Sequence, residues 1–66
     1  MNVILYTTNC PQCKRLKSKL EDANITFEVV NDVDLMMKKG FMMAPVLEVD
    51  GMTYSFKEAV KWIGEQ

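Results

Sequence analysis

The 66-residue sequence contains no histidine and only two cysteines, Cys10 and Cys13. A structural zinc ion takes four Cys or His ligands, so one copy of the chain cannot supply a tetrahedral site and two copies would have to share it. Nor is the pair a useful staple of the kind small domains often need. A bridge between residues so close in sequence gains only about 2 kcal/mol of loop entropy before strain is subtracted. Neither sign of charge is in excess: eight Lys and Arg face nine Asp and Glu, for a net charge of −1. That balance argues against nucleic acid, which asks for a clustered basic surface. No apolar run is longer than Val3 to Tyr6, far short of a membrane span. The first residues show no basic region, long apolar stretch or cleavage site of a secretory signal, which leads us to expect a cytoplasmic protein in a reducing environment. With no repeat, low-complexity tract or Gly/Ser linker, residues 1–66 read as a single domain.

What is present suffices for a folded core. Apolar residues make up 48% and charged residues 26% of the chain, a mixture unlike that of disordered segments. Val3-Ile4-Leu5-Tyr6 is β-rich and apolar, as in a strand buried on both faces. Thr7-Thr8-Asn9 reads as a loop, and Pro11 suits the first turn of a helix, where its missing N–H costs nothing. Cys13, Leu16, Leu20 and Ala23 then share one helical face, with Asn24 as the stop. Ile25 to Val30 alternates and reads as a second strand, which makes a βαβ unit with parallel strands. Asn31 or Asp32 can cap a short helix with Val33, Met36 and Met37 inward and Gly40 at its end. Val46 to Val49 and Met52 to Tyr54 flank Asp50-Gly51, a type I′ hairpin signal. Ser55 and Glu58 have capping-box spacing for a last helix with Phe56, Ala59, Val60 and Ile63 inward. The expected class is α/β, in the order β-α-β-α-β-β-α.

Cys10-Pro11-Gln12-Cys13 carries the chemistry. A C-x-x-C beside a βαβ pattern, in a chain expected to be cytoplasmic, reads as a redox pair. Cys10 falls where strand becomes helix, and free N–H groups and the helix dipole there favour an anion. Lys14 and Arg15 add positive potential. Thiolates in such places have pKa values of about 3.5–7.5 against about 8.5 for free cysteine, which makes Cys10 the expected nucleophile. Cys13, one turn on and on the apolar face, should be more buried and less acidic, and should resolve the mixed disulfide. Three other readings of the pair stay open at this point. They are a zinc site shared between two chains, a structural disulfide, and incidental core cysteines.

Pro45 reads as a strand-opening proline. Met36, Met37, Met42 and Met43 read as filler of an irregular core, with a methionine-lined partner surface as the other option. Trp62 lies off the inner stripe of the last helix and reads as a partly exposed packing residue.

Taken together, Tyr6-Thr7-Thr8-Asn9-Cys10-Pro11-Gln12-Cys13-Lys14, Ala44-Pro45-Val46, Asp50-Gly51 and Ser55-Phe56 resemble the glutaredoxin family of the thioredoxin fold, over nearly the whole chain. The resemblance implies a four-stranded mixed sheet with the last two strands antiparallel to the first pair. It implies a cis Pro45 facing the dithiol, and an Ala44 whose N–H and C=O pair with substrate in the manner of an added strand. Thr8, Pro11, Gln12, Met43, Ala44, Pro45, Ser55 and Phe56 are then the expected substrate-binding residues, around catalytic Cys10 and Cys13.

Two branches of the family fit in part. Glutaredoxins proper carry C-P-Y-C, T-V-P and a later glycine stretch that holds glutathione. Here Gln12, Met43-Ala44-Pro45 and Ser55-Phe56-Lys57-Glu58 stand at those places, Met42 stands where a basic residue often meets the tripeptide carboxylate, and Thr7 stands where a lysine often precedes the dithiol. Redoxins that supply electrons to ribonucleotide reductase and are recharged by thioredoxin reductase carry C-V-Q-C, a Gly-aromatic-x-x-Ala-Pro-Val stretch and Ser-Gly-Phe. Gln12, Gly40 to Val46 and Ser55-Phe56 echo these. The expectation is a monomeric thiol–disulfide oxidoreductase acting on disulfide-containing client proteins. It requires no cofactor or metal, has glutathione or thioredoxin reductase as electron donor, and engages neither nucleic acid nor membrane. The alternative is a redox-sensing or metal- or iron–sulfur-binding module that acts as a dimer.

Overall fold

Each face of the central sheet is written by the two-residue period of its strands. In the computed structural model, which describes residues 2–8 and 10–66, β1 spans Val3–Tyr6 at the middle of the sheet. Asn9, expected in the loop after it, lies outside the described residues. The elements that follow are α1 (Pro11–Asp22), β2 (Glu28–Val30), α2 (Val33–Lys38), β3 (Val46–Val49), β4 (Met52–Tyr54) and α3 (Phe56–Gly64). The sheet order is β2-β1-β3-β4. β1 pairs parallel with β2 and antiparallel with β3, opposing Leu5 to Leu47 and Tyr6 to Val46.

That register sends Val3, Leu5, Leu47 and Val49 to one face, where they meet Leu16 and Leu20 of α1 and Ala59 and Ile63 of α3. Tyr6 and Val46 go to the other face, where Met36 of α2 covers them. The expected order of elements and the mixed sheet are both present. β3 and β4 do not share a direction, however. The hairpin through Asp50 and Gly51, both at positive φ (49° and 89°), reverses the chain, so β4 points the same way as β1 and only β3 opposes the first pair.

Both helices before β3 end in the same way. Asn24 (φ 58°) follows α1, with its N–H on the Glu21 carbonyl and the Ile25 N–H on the Leu20 carbonyl at 3.0 Å. Gly40 (φ 82°) follows α2, with its N–H on the Met37 carbonyl and the Phe41 N–H on the Met36 carbonyl at 2.9 Å. These are Schellman endings, which use a left-handed residue to satisfy the last carbonyls. The first of them shortens β2. Ile25 is tied to α1, and pairing with β1 begins only at Glu28, opposite Ile4, so the strand expected from Ile25 starts three residues later. Ala23, expected on the inner face of α1, is its exposed C-cap. At α3 the Glu58 carboxylate accepts from the Ser55 N–H (3.3 Å) and hydroxyl (3.0 Å), as the capping-box spacing predicts. Trp62 packs against the main core and stacks on Tyr54, with ring centroids 6.5 Å apart. Among the described residues no helix is long and apolar enough to cross a membrane.

Candidate functional site

Cys10 is the N-cap of α1. Its backbone is extended (φ −74°, ψ 163°), its carbonyl accepts the Lys14 N–H at 3.0 Å, and its Sγ accepts the Cys13 N–H at 3.2 Å. Pro11 at N1 has no N–H to orphan, and no acidic side chain stands in the first turn to oppose an anion. Negative charge on Cys10 Sγ is therefore met by a backbone donor and by the positive end of a twelve-residue helix. Cys10 is partly exposed, while Cys13 is only 1% exposed, so an incoming disulfide can reach the first sulfur and not the second.

The electrostatics of Cys13 differ from expectation. Burial works to raise its thiol. Hydrogen bonds from the Cys10 and Thr7 side chains and from the Thr8 and Cys10 backbone oppose that and bring it from 9.0 down to about 7. Because the two sulfurs hydrogen-bond each other, the first proton to leave belongs to the pair. The hydrogen bonds thus outweigh the burial that would by itself make Cys13 a weaker acid than an ordinary thiol. Thr7, which sequence reasoning left out of the site, is a buried residue whose N–H donates to the Val30 carbonyl at 2.9 Å. No local pattern marks it, because its part depends on the β1–β2 pairing.

The segment after α2 forms the opposite wall. The Schellman ending turns Phe41 inward, where its ring meets Tyr6 edge-on with centroids 4.9 Å apart. Four residues on, the Ala44–Pro45 peptide bond is cis, as the resemblance implies, and Pro45 is buried. This segment separates two hollows. The first, of about 550 Å³, is lined by Thr8 and Cys10 on one side and by α2 and residues 40–44 on the other. The second, of about 320 Å³, is lined by Gln12, Pro45, Ser55 and Phe56 among others. Met43 and Ala44 line both. The structure therefore gathers the expected substrate-binding residues around one wall, except Pro11, which is exposed at the helix start and lines neither hollow.

The methionines depart furthest from the core assignment. Met36 is buried, but Met37 is 69%, Met42 96% and Met43 74% exposed. Val33, expected inward, is 52% exposed. α2 has six residues and covers only the patch over Tyr6 and Val46, so one inward position fills it. Of its other apolar side chains, Val33 and Met37 line the first hollow and Leu35 does not. That hollow has no Asp, Glu, Lys or Arg in its lining, and the second has only Glu58. Lys39, at the end of α2, is held elsewhere, with its Nζ 3.8 Å from Glu48 Oε1 and 5.4 Å from the Tyr6 ring centroid. Among the described residues no cluster of three or more His, Cys, Asp or Glu could hold a metal ion.

Comparison with known proteins agrees with this geometry. A family model described as glutaredoxin matches residues 3–54. Among solved structures, a diazinon-metabolizing glutathione S-transferase of the silkworm Bombyx mori superposes with a TM-score of 0.79 at 19% identity, covering 100% of this chain and 38% of that one. Glutathione transferase F7 of Populus trichocarpa gives 0.73 at 24% identity, covering 96% and 35%. This chain spans little more than a third of those structures, and at these identities the likeness shows the shared fold alone. No curated protein sequence matches significantly.

Proposed function

This chain belongs to the glutaredoxin family, and on that premise we propose that it is a dithiol redoxin in which Cys10 attacks a client disulfide and Cys13 resolves it. A glutaredoxin domain supports a function of the thiol–disulfide oxidoreductase kind. The observation that carries the specific roles is the pairing of a reachable Cys10 Sγ, held by the Cys13 N–H at 3.2 Å, with a buried Cys13. The Cys10 thiolate attacks one sulfur of the client, the S–S bond breaks, and the other client sulfur leaves and takes up a proton. Cys13 then attacks Cys10 Sγ and releases the first client sulfur as a second thiol. Two electrons pass to the client, and a Cys10–Cys13 disulfide remains for an external reductant to open.

In this reading Ala44 and Pro45 receive the client strand, with Thr8, Gln12, Met43, Ser55 and Phe56 around it, a role supported by their lining the hollows on either side of this segment. The lining of the hollows supports a flavoprotein disulfide reductase of the thioredoxin reductase type as donor over glutathione. Glu58 repels the tripeptide's carboxylates, and exposed Met42 offers them no charge. We read the protein as a cytoplasmic monomer that needs no resident cofactor, with ribonucleotide reductase as the client class the resemblance suggests.

The test is a pair of variants assayed by NADPH oxidation, with thioredoxin reductase alone and with glutathione plus its reductase. Cys10→Ser abolishes reduction of protein disulfides. Cys13→Ser stops turnover and accumulates mixed disulfides on Cys10, visible by mass. The reverse trapping pattern overturns the roles, activity only with glutathione overturns the donor, and half an equivalent of metal per purified chain overturns the metal-free account.

A further inference from the structure

Among the described residues no Asp, Glu, Lys or Arg lines the hollow beside Cys10, and its rim is built of Met37, Met42 and Met43, all strongly exposed. Methionine is a suitable rim for variable partners, since its unbranched thioether chain repacks around different shapes. Cys10 lies in the wall of this same hollow, and Ala44 lines the opposite side. A client chain whose cysteine reaches Cys10 therefore lays the neighbouring side chain against the methionines. No Lys or Arg lines the hollow, and Lys39 at the end of α2 is engaged by Glu48 and Tyr6, so an acidic neighbour meets no counter-charge in its wall.

We propose that this hollow selects protein disulfides whose cysteine is flanked by bulky apolar side chains, and rejects those with acidic flanks. The inference rests on the dithiol reading above and adds its substrate class. The occupant is an extended client segment with an apolar residue next to its cysteine. A volume of about 550 Å³ lies within the range that holds a ligand of one or two large side chains.

The experiment uses the reduced full chain in excess over two synthetic disulfides. Each is a homodimer of a short peptide with one cysteine, flanked by Leu and Phe in one and by two Glu in the other. 2-Hydroxyethyl disulfide serves as a small uncharged third substrate. Thiol release is followed by chromatography of acid-quenched samples. The apolar peptide is reduced about tenfold faster than the acidic one, the size of effect that burial of one large apolar side chain gives. The ratio persists in about 0.5 M salt, where charge effects are screened. Met42→Gln and Met43→Gln, which remove apolar contact without adding charge, made singly at exposed positions and checked by circular dichroism, each lower the ratio. Equal rates for the two peptides, with hydroxyethyl disulfide still reduced, overturn the selection and leave the dithiol reading intact. A ratio that collapses in salt overturns it in favour of simple charge repulsion. Failure to reduce any of the three overturns the dithiol reading, and the selection with it.

Discussion

The two faces of the sheet are unequal. On one, α1 and α3 bring Leu16, Leu20, Ala59 and Ile63 onto Val3, Leu5, Leu47 and Val49, and four of these leucines are wholly buried. On the other, α2 brings Met36 alone onto Tyr6 and Val46. Burial of one leucine side chain stabilises by about 1.5–3 kcal/mol, so most of the fold's stability resides on the first face. The second face leaves Val33, Met37, Met42 and Met43 exposed around the hollow that Cys10 lines. The difference teaches where this small domain divides its labour. A short helix that cannot cover its share of the sheet leaves a hollow open beside Cys10.

The largest effect should come from breaking the covered face. Leu16→Ala removes a fully buried side chain from the junction of α1, α3 and the sheet, and should cost about 2–5 kcal/mol. A domain of this length has about 3–10 kcal/mol in all, so urea denaturation should find the variant close to unfolding. Met36→Ala, nearly as buried but beside an open hollow into which neighbours and water can relax, should cost about 1–2 kcal/mol, below the usual range for such truncations. Equal losses for the two variants would remove the asymmetry.

The next effect sits at the junction of the faces, in the Cys13 thiol. Its folded value of about 7 lies below the 9.0 of an ordinary cysteine, so the unfolded chain binds more protons between those values. Stability of the reduced protein should therefore rise with pH from about 7 to about 9, be fully present above 9, and be lost as pH falls through 7. The gain should be on the order of 2 kcal/mol. Urea midpoints of reduced wild type and Cys13→Ala across that window check it. The slope should be present in the first and reduced in the second, and parallel curves would remove the donors to Cys13 from the account.

Much of the covered face was legible because its signals are local. Leu16 and Leu20 stand at helical spacing, Asp50-Gly51 names its own turn, and Ser55 with Glu58 names its own cap. The dithiol is equally local, since a helix start and two sulfurs one turn apart define it. The open face was harder to read because its features depend on contacts across the sheet. Thr7 reaches Cys13 only once β1 has paired with β2, and the start of β2 is set by where β1 begins and by the turn at Asn24. Met37, Met42 and Met43 have the composition of a core, and only the shortness of α2 leaves them outside it.

The smallest effect should come from those methionines. Met42 is 96% exposed, so the folded state shields almost none of its side chain from water and truncation opens no cavity. Met42→Ala should therefore leave the unfolding free energy from urea denaturation within about 0.5 kcal/mol of wild type, the ordinary range for a surface change. Truncation of the buried Met36 should instead cost several times more, as argued above. The same variant should slow reduction of the apolar-flanked peptide while the fold is untouched, because the side chain meets water in the free protein and a client only in the complex. A measurable loss of stability would mean that Met42 packs inward in solution. The open face would then be better covered than its exposure indicates, and the hollow beside Cys10 correspondingly smaller.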